Sequence, residues 1–166
     1  MVSKDSAKLK LALRTIEFNR RLDSWVKKES DKLPRIRIRV KGKGRTEELA
    51  MKWLRKKGLQ VYPSLAKNGY RAVGVLDYWK KFERKLPEDQ KKMLRLLKDR
   101  LGKEELKELV ESVKNKIGTP DLMVITESEI EFLEVKSKYE TVKLPTLMWM
   151  WSHPRWKLKV LVVERV

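Results

Sequence analysis

The stretch DLMVITESEIEFLEVK, residues 121–136, constrains the fold more than any other part of the chain. Two short apolar runs, 122–125 and 130–135, flank the polar tetrad 126–129, which is the pattern of two strands joined by a turn. A tight turn centred on Glu127 and Ser128 places Asp121 directly opposite Glu134 on adjacent antiparallel strands. Lys136 emerges on the same side, because strand side chains alternate with period two. Met123, Ile125, Ile130 and Phe132 share that face, while Leu122, Val124, Leu133 and Val135 fill the other. A ribbon apolar on both faces belongs inside a sheet covered on both sides, which points to an α/β domain. The charged trio at one end of it must then be paired, hold a metal, or face a cleft.

At 166 residues, 41% of them apolar, the chain is long enough for one compact domain with a core, and no apolar run approaches the length that crosses a bilayer. Its 41 Lys and Arg against 23 Asp and Glu leave a formal charge of +18, whose commonest physical meaning is a polyanionic partner, nucleic acid first. A heat-adapted surface explains many charges but not their imbalance. A membrane surface is set aside as partner, since no helix joins a clean apolar face to a purely basic one. With no cysteine, any metal sits on oxygen or imidazole. The N-terminus lacks the uninterrupted apolar segment of a secretory signal, so a cytoplasmic location is expected.

Residues 5–30 read as a helix in which Leu11, Thr15, Phe18, Leu22 and Trp25 alternate steps of four and three along one stripe. The stripe docks either on the rest of the chain, the preferred reading, or on its copy in a second subunit. RIRIRVKGKGR, residues 35–45, predicts a strand with one basic edge running into a loop at Gly42 and Gly44. Its cations Arg35, Arg37, Arg39, Lys41, Lys43 and Arg45 are candidates for phosphate contact. Thr46 before Glu47 and Glu48 is the expected N-cap of a helix ending at Gly58. LQVYPS resumes as strand, and residues 70–85 are ambiguous between strand and aromatic-rich helix. Helices over 88–101 and 103–116 form a hairpin closed by Gly102 and Gly118. Pro145 opens a short helix, and WKLKVLVVE closes the chain as a strand. Residues 1–43 are thus expected as an N-terminal extension, and 44–166 as a core with a helical insertion at about 70–116.

Two carboxylates facing each other repel, and the arrangement becomes favourable when a hard divalent cation lies between them. Magnesium fits best, with manganese as a substitute. Such a cation polarises a phosphate and acidifies water, while the adjacent lysine orients that water or stabilises developing charge. Phosphodiester hydrolysis is the reaction these groups suit.

PD at 120 and 121 followed by EVK at 134–136 resembles the PD-(D/E)xK nuclease superfamily. GTPDLMV, FLEVKSK and the terminal Trp-bearing helix and strand resemble the VRR-Nuc nucleases in order and spacing. TEELAMKWLRKKGLQVY is similar to the segment of archaeal Holliday-junction resolvases in which a Glu opens a helix that ends at a Gly before a strand. The resemblance spans about residues 44–62 and 117–166. It implies a restriction-endonuclease-like core of order αβββαβ, a mixed central sheet flanked by helices, here with an N-terminal helical extension and an inserted helical hairpin. It also implies Asp121, Glu134 and the Val135 carbonyl as metal ligands, Lys136 as a catalytic group, and Glu47, with Glu48 the runner-up, as the helix carboxylate. A homodimer follows by the same analogy.

The expected function is therefore a magnesium-dependent DNA endonuclease, with branched or single-stranded forms as candidate substrates and Lys138, Lys143 and Arg155 as further backbone contacts. The rivals are a non-catalytic DNA-binding or architectural protein that keeps the fold, and an RNA-binding or RNA-cleaving protein. His153 reads as a loop residue before a general base, and two of the three tryptophans Trp149, Trp151 and Trp156 read as core before base-stacking platforms.

Overall fold

The structure is a computed structural model that describes residues 4–64, 88–112 and 118–166. Among them the chain forms five helices and a five-stranded mixed sheet. In order these are α1 (Lys4–Asp31), β1 (Arg35–Val40), α2 (Thr46–Lys56), β2 (Val61–Pro63), α3 (Glu88–Arg100) and α4 (Lys103–Ser112). Then come β3 (Leu122–Ile125), β4 (Ile130–Lys136), α5 (Leu144–Ser152) and β5 (Lys157–Arg165). The ambiguous segment 70–85 and the last turn expected of the second hairpin helix, 113–116, lie outside the described residues.

The β3–β4 hairpin has the register that its alternation predicts. Leu122 pairs with Leu133 and Ile125 with Ile130, leaving 126–129 as the turn. Thr126 closes that turn twice, its N–H donating to the Glu129 carbonyl at 2.9 Å and its hydroxyl oxygen accepting from the Glu129 N–H at 3.0 Å. The sheet order is β1-β5-β4-β3-β2, with β5 parallel to both β4 and β1 and β3 antiparallel to both neighbours. β4 is therefore interior, as its doubly apolar character requires. Met123, Ile125, Ile130 and Phe132 pack with Leu94 and Leu97 of α3, Leu109 of α4 and Trp149 of α5. Leu122, Val124 and Leu133 pack on the other face with Leu49, Ala50 and Leu54 of α2.

Parallel pairing has one consequence for function. The C-terminal ends of β1, β4 and β5 all lie at the same edge of the domain, together with the start of β3. Gly118 brings the chain to that edge. Its φ is +81°, and a Cβ there would overlap the carbonyl of Pro145 at the start of α5, so the approach to Asp121 requires glycine.

Two expectations need correction. Thr46 does not cap α2: Arg45, extended at φ −72° and ψ 141°, holds the N-cap position without a side-chain hydrogen bond, and Thr46 is the first helical residue. The extended chain arrives one residue earlier than the Thr-Glu-Glu signal suggests, and the Arg45 carbonyl already accepts from the Leu49 N–H. The α1 stripe docks within the chain only at its C-terminal end. There Val26 packs with Val142 and Leu147, the Trp25 ring lies 5.5 Å from that of Trp151, and the buried Ser30 hydroxyl oxygen accepts from the Val142 N–H at 2.9 Å. Leu11 and Phe18 remain 67% and 65% exposed, because the helix outruns the body it rests on.

Candidate active site

Glu134 and Lys136 occupy the last turns of the β4 pleat, where they pair with Val160 and Val162 of β5. Those valines belong to the apolar cluster with Val142 and Leu147, so both charged side chains leave the strand over an apolar floor. Asp121 stands one residue before β3, and the hairpin register carried on by that residue sets it opposite Glu134. The Val135 N–H donates to Asp121 Oδ2 at 3.0 Å, tying that carboxylate to the β4 backbone.

Glu134 is only 8% exposed. Its Oε1 lies 3.5 Å from Lys136 Nζ, while its Oε2 is buried without a hydrogen-bond partner. Burial, and then the negative charge of Asp121, push its pKa up to about 7, against the opposing pull of Lys136. These groups open into a cleft of about 730 Å³, whose walls include Glu47, Asp121, Glu134, Val135, Lys136, Lys138, Glu164 and Arg165.

Of the two α2 carboxylates, Glu47 lines this cleft and Glu48 does not. Both line an adjoining cavity of about 300 Å³ that also touches Asp121. Glu47 is thus the helix carboxylate that borders the cleft of the pair. Among the described residues no group of three or more Asp, Glu or His side chains converges at metal-binding spacing; Asp121 is close enough to Glu134 for its charge to raise the Glu134 pKa.

The basic candidates divide. The 41–45 loop is drawn to the site end of the sheet by Arg165, whose guanidinium donates to the Gly42 carbonyl at 2.9 Å. Glu164 gathers two rim cations, Arg39 at 3.4 Å and Lys138 at 4.0 Å. Arg35 is held by the Ser30 carbonyl at 2.8 Å and by Asp31, and Arg45 by Glu47 at 4.0 Å. Arg37, Lys41, Lys43 and Lys143 form no ion pair among the described residues and stay available to an anion. Arg155 is not brought to the site. It precedes β5, roughly 25 Å of strand from Arg165, and pairs with Glu105 at 3.0 Å and with Glu108. There it lines a separate cavity of about 470 Å³ beside His153.

His153 is a loop residue whose Nδ1 lies 2.8 Å from the Trp149 carbonyl. Trp149 and Trp156 are buried, and the Trp149 indole N–H donates to the Ser112 carbonyl at 2.7 Å, so neither is a stacking platform. Glu164 and Arg165 were not anticipated at the site. The strand reading of the C-terminus is right, but its parallel pairing beside β4, which carries these two residues to the cleft, has no local signature in the sequence.

Comparison of the chain with protein-family models, with curated proteins and with solved structures finds no match.

Proposed function

We propose that this chain is a magnesium-dependent endodeoxyribonuclease of the PD-(D/E)xK kind, resembling the VRR-Nuc nucleases. In this reading α2, β2, β3, β4, α5 and β5 form a restriction-endonuclease-like core to which α1, β1 and the α3–α4 hairpin are added. One observation carries the proposal: a buried carboxylate, Glu134, with one oxygen unpartnered, stands beside a second carboxylate at the wall of a cleft. An apolar side chain would satisfy the fold better there, since an unpaired buried acid costs stability.

A hard cation fits this donor set, because it would supply the missing partner of Glu134 and relieve its repulsion with Asp121. Asp121, Glu134 and the Val135 carbonyl would hold it, with Glu47 close by. When bound, it supplies charge neutralisation and polarisation of a phosphodiester. The chain does the rest. The Val135 N–H fixes Asp121, and Lys136, released from Glu134, donates to a phosphate oxygen or orients the attacking water. Lys138 and Arg39, steered by Glu164, and the unpaired Lys41 and Lys43 hold the flanking backbone.

The test is incubation of the chain with duplex, single-stranded and branched DNA, and with RNA of matched length, in magnesium or in EDTA. DNA is cut in magnesium, EDTA stops the reaction, and RNA survives. DNA that is bound but uncut in every metal would instead favour the non-catalytic binding protein.

A further inference from the structure

β4 ends on Lys136, and the chain leaves the sheet through a tight turn over 137–140 before it enters α5. The turn is closed twice. The Glu140 N–H donates to the Ser137 carbonyl at 3.2 Å, and the Ser137 N–H donates to Glu140 Oε1 at 3.0 Å. Hydrogen bonding from Ser137 holds the Glu140 carboxyl below its usual pKa, so the acceptor that closes the turn stays charged at neutral pH.

Ser137, Lys138 and Glu140 all line the cleft of Asp121 and Glu134, and Tyr139 does not. Its ring stands outside, 87% exposed, more than any other large apolar or aromatic side chain among the described residues. One face of the ring meets Lys138, whose Nζ lies 5.4 Å from the ring centre. At that exposure the opposite face is left to solvent. At most about 11 Å of chain separates Tyr139 from Lys136, the rise of roughly three stacked nucleotides. The fold draws no packing from this ring, because the turn closes through Ser137 and Glu140 and an exposed side chain adds nothing to the core. The placement matches the way single strands are held, in a cationic groove that tracks the backbone beside an aromatic face on which a base stacks.

We propose that Tyr139 sets which DNA the cleft accepts, its free face stacking on an unpaired base within about three nucleotides of the phosphate held at Asp121 and Glu134. The inference rests on the nuclease reading for what the cleft holds. Inside a duplex both faces of a base are covered by its neighbours, so the ring gains this contact only where a strand is unpaired beside the cleft. The preferred substrate is then a single strand, or a duplex with a single-stranded branch, cut next to its unpaired nucleotides. Lys138 links the two parts, since it lines the cleft while its amine covers the other face of the ring. A protein partner fits less well, because one ring and one lysine fall far below the area of a specific interface.

Anisotropy of labelled oligonucleotides in EDTA, at about 100 mM salt, tests the inference with the full chain. The probes are a single strand, a blunt duplex of the same sequence, and that duplex with a single-stranded flap. Tyr139→Ala is expected to weaken binding of the single strand and the flap by about five- to hundredfold. It leaves the blunt duplex within about twofold and the unfolding midpoint unchanged. Tyr139→Trp is expected to hold the unpaired forms as tightly as the parent or more so. In a single strand carrying one 2-aminopurine, the parent quenches the probe by stacking and Tyr139→Ala does not, a signature that a merely structural residue would not give. Equal affinity of parent and Tyr139→Ala for all three probes, an equal loss on the blunt duplex, no binding of the single strand by the parent, or a tryptophan that fails to replace tyrosine would overturn the inference. None of these readings needs metal or cleavage. A chain that stacks bases but cuts nothing keeps this role for Tyr139 and loses the nuclease; one that cuts all three forms alike, with or without the ring, does the reverse.

Discussion

Asp121→Asn, Glu134→Gln and Lys136→Ala each lower magnesium-dependent DNA cleavage by about a thousandfold or more, while DNA affinity measured in EDTA stays within about threefold. The separation follows from where the charges are. On the proposed reading affinity comes from cations outside the trio, Lys41, Lys43 and Lys143 among them, and counterion release at the phosphates does not need the acids. On the same reading cleavage needs all three groups, because Asp121 and Glu134 define the cation position and Lys136 is, among the described residues, the amine paired with Glu134. Glu47→Gln lowers the rate further than Glu48→Gln, since only Glu47 borders the cleft that holds the pair. Undiminished cutting by any variant of the trio, read as initial rate on a labelled duplex, removes that residue from the mechanism.

The Glu134→Gln chain is more stable than the parent at pH 8. The carboxyl of Glu134 ordinarily titrates near 4.5 and in the fold near 7. A raised carboxyl pKa means that the folded state prefers the protonated form. The parent therefore loses stability as pH rises from about 4.5 towards 7, and the full penalty, about 3 kcal/mol, is present above pH 7 and absent below 4.5. Glutamine keeps the shape, can donate a hydrogen bond to Asp121, and never ionises. The unfolding midpoint of Glu134→Gln should then exceed the parent's by roughly 6–12 °C at pH 8, and the two should converge near pH 4. Thermal unfolding followed by circular dichroism across that range checks both the sign and the window. A variant less stable than its parent at pH 8 would mean that Glu134 is well satisfied as an anion. Stability lost at a residue that a sheet could replace with an apolar one is the expected mark of a functional group.

The hairpin was legible in the sequence because two constraints agree there. Alternation fixes which residues share a face, and the polar tetrad fixes the turn, so the opposition of Asp121 and Glu134 follows from counting alone. The helices of the 88–112 region and the terminal strand were legible from their proline and glycine boundaries. What failed is what depends on neighbours remote in sequence. Whether Leu11 and Phe18 meet the domain depends on how far the body extends beneath α1, and the stripe itself is the same in either case. Arg155 follows the acidic trio in the chain yet lies at the far end of β5, because one strand length separates its start from the site. Glu164 and Arg165 reach the cleft for the same reason, through a parallel partner that no local pattern names. Glu47 could be told from Glu48 only by the direction in which each leaves α2.

In the proposed mechanism Asp121 and Glu134 converge to hold one divalent cation. Calorimetric titration of manganese into the full chain at pH 8, without nucleic acid, tests it most directly. The expected result is one ion per chain, affinity that weakens as pH falls below 7 and Glu134 takes up its proton, and at least tenfold weaker binding by Glu134→Gln. Equal binding by parent and variant, or no heat of binding up to about 10 mM metal, would contradict it.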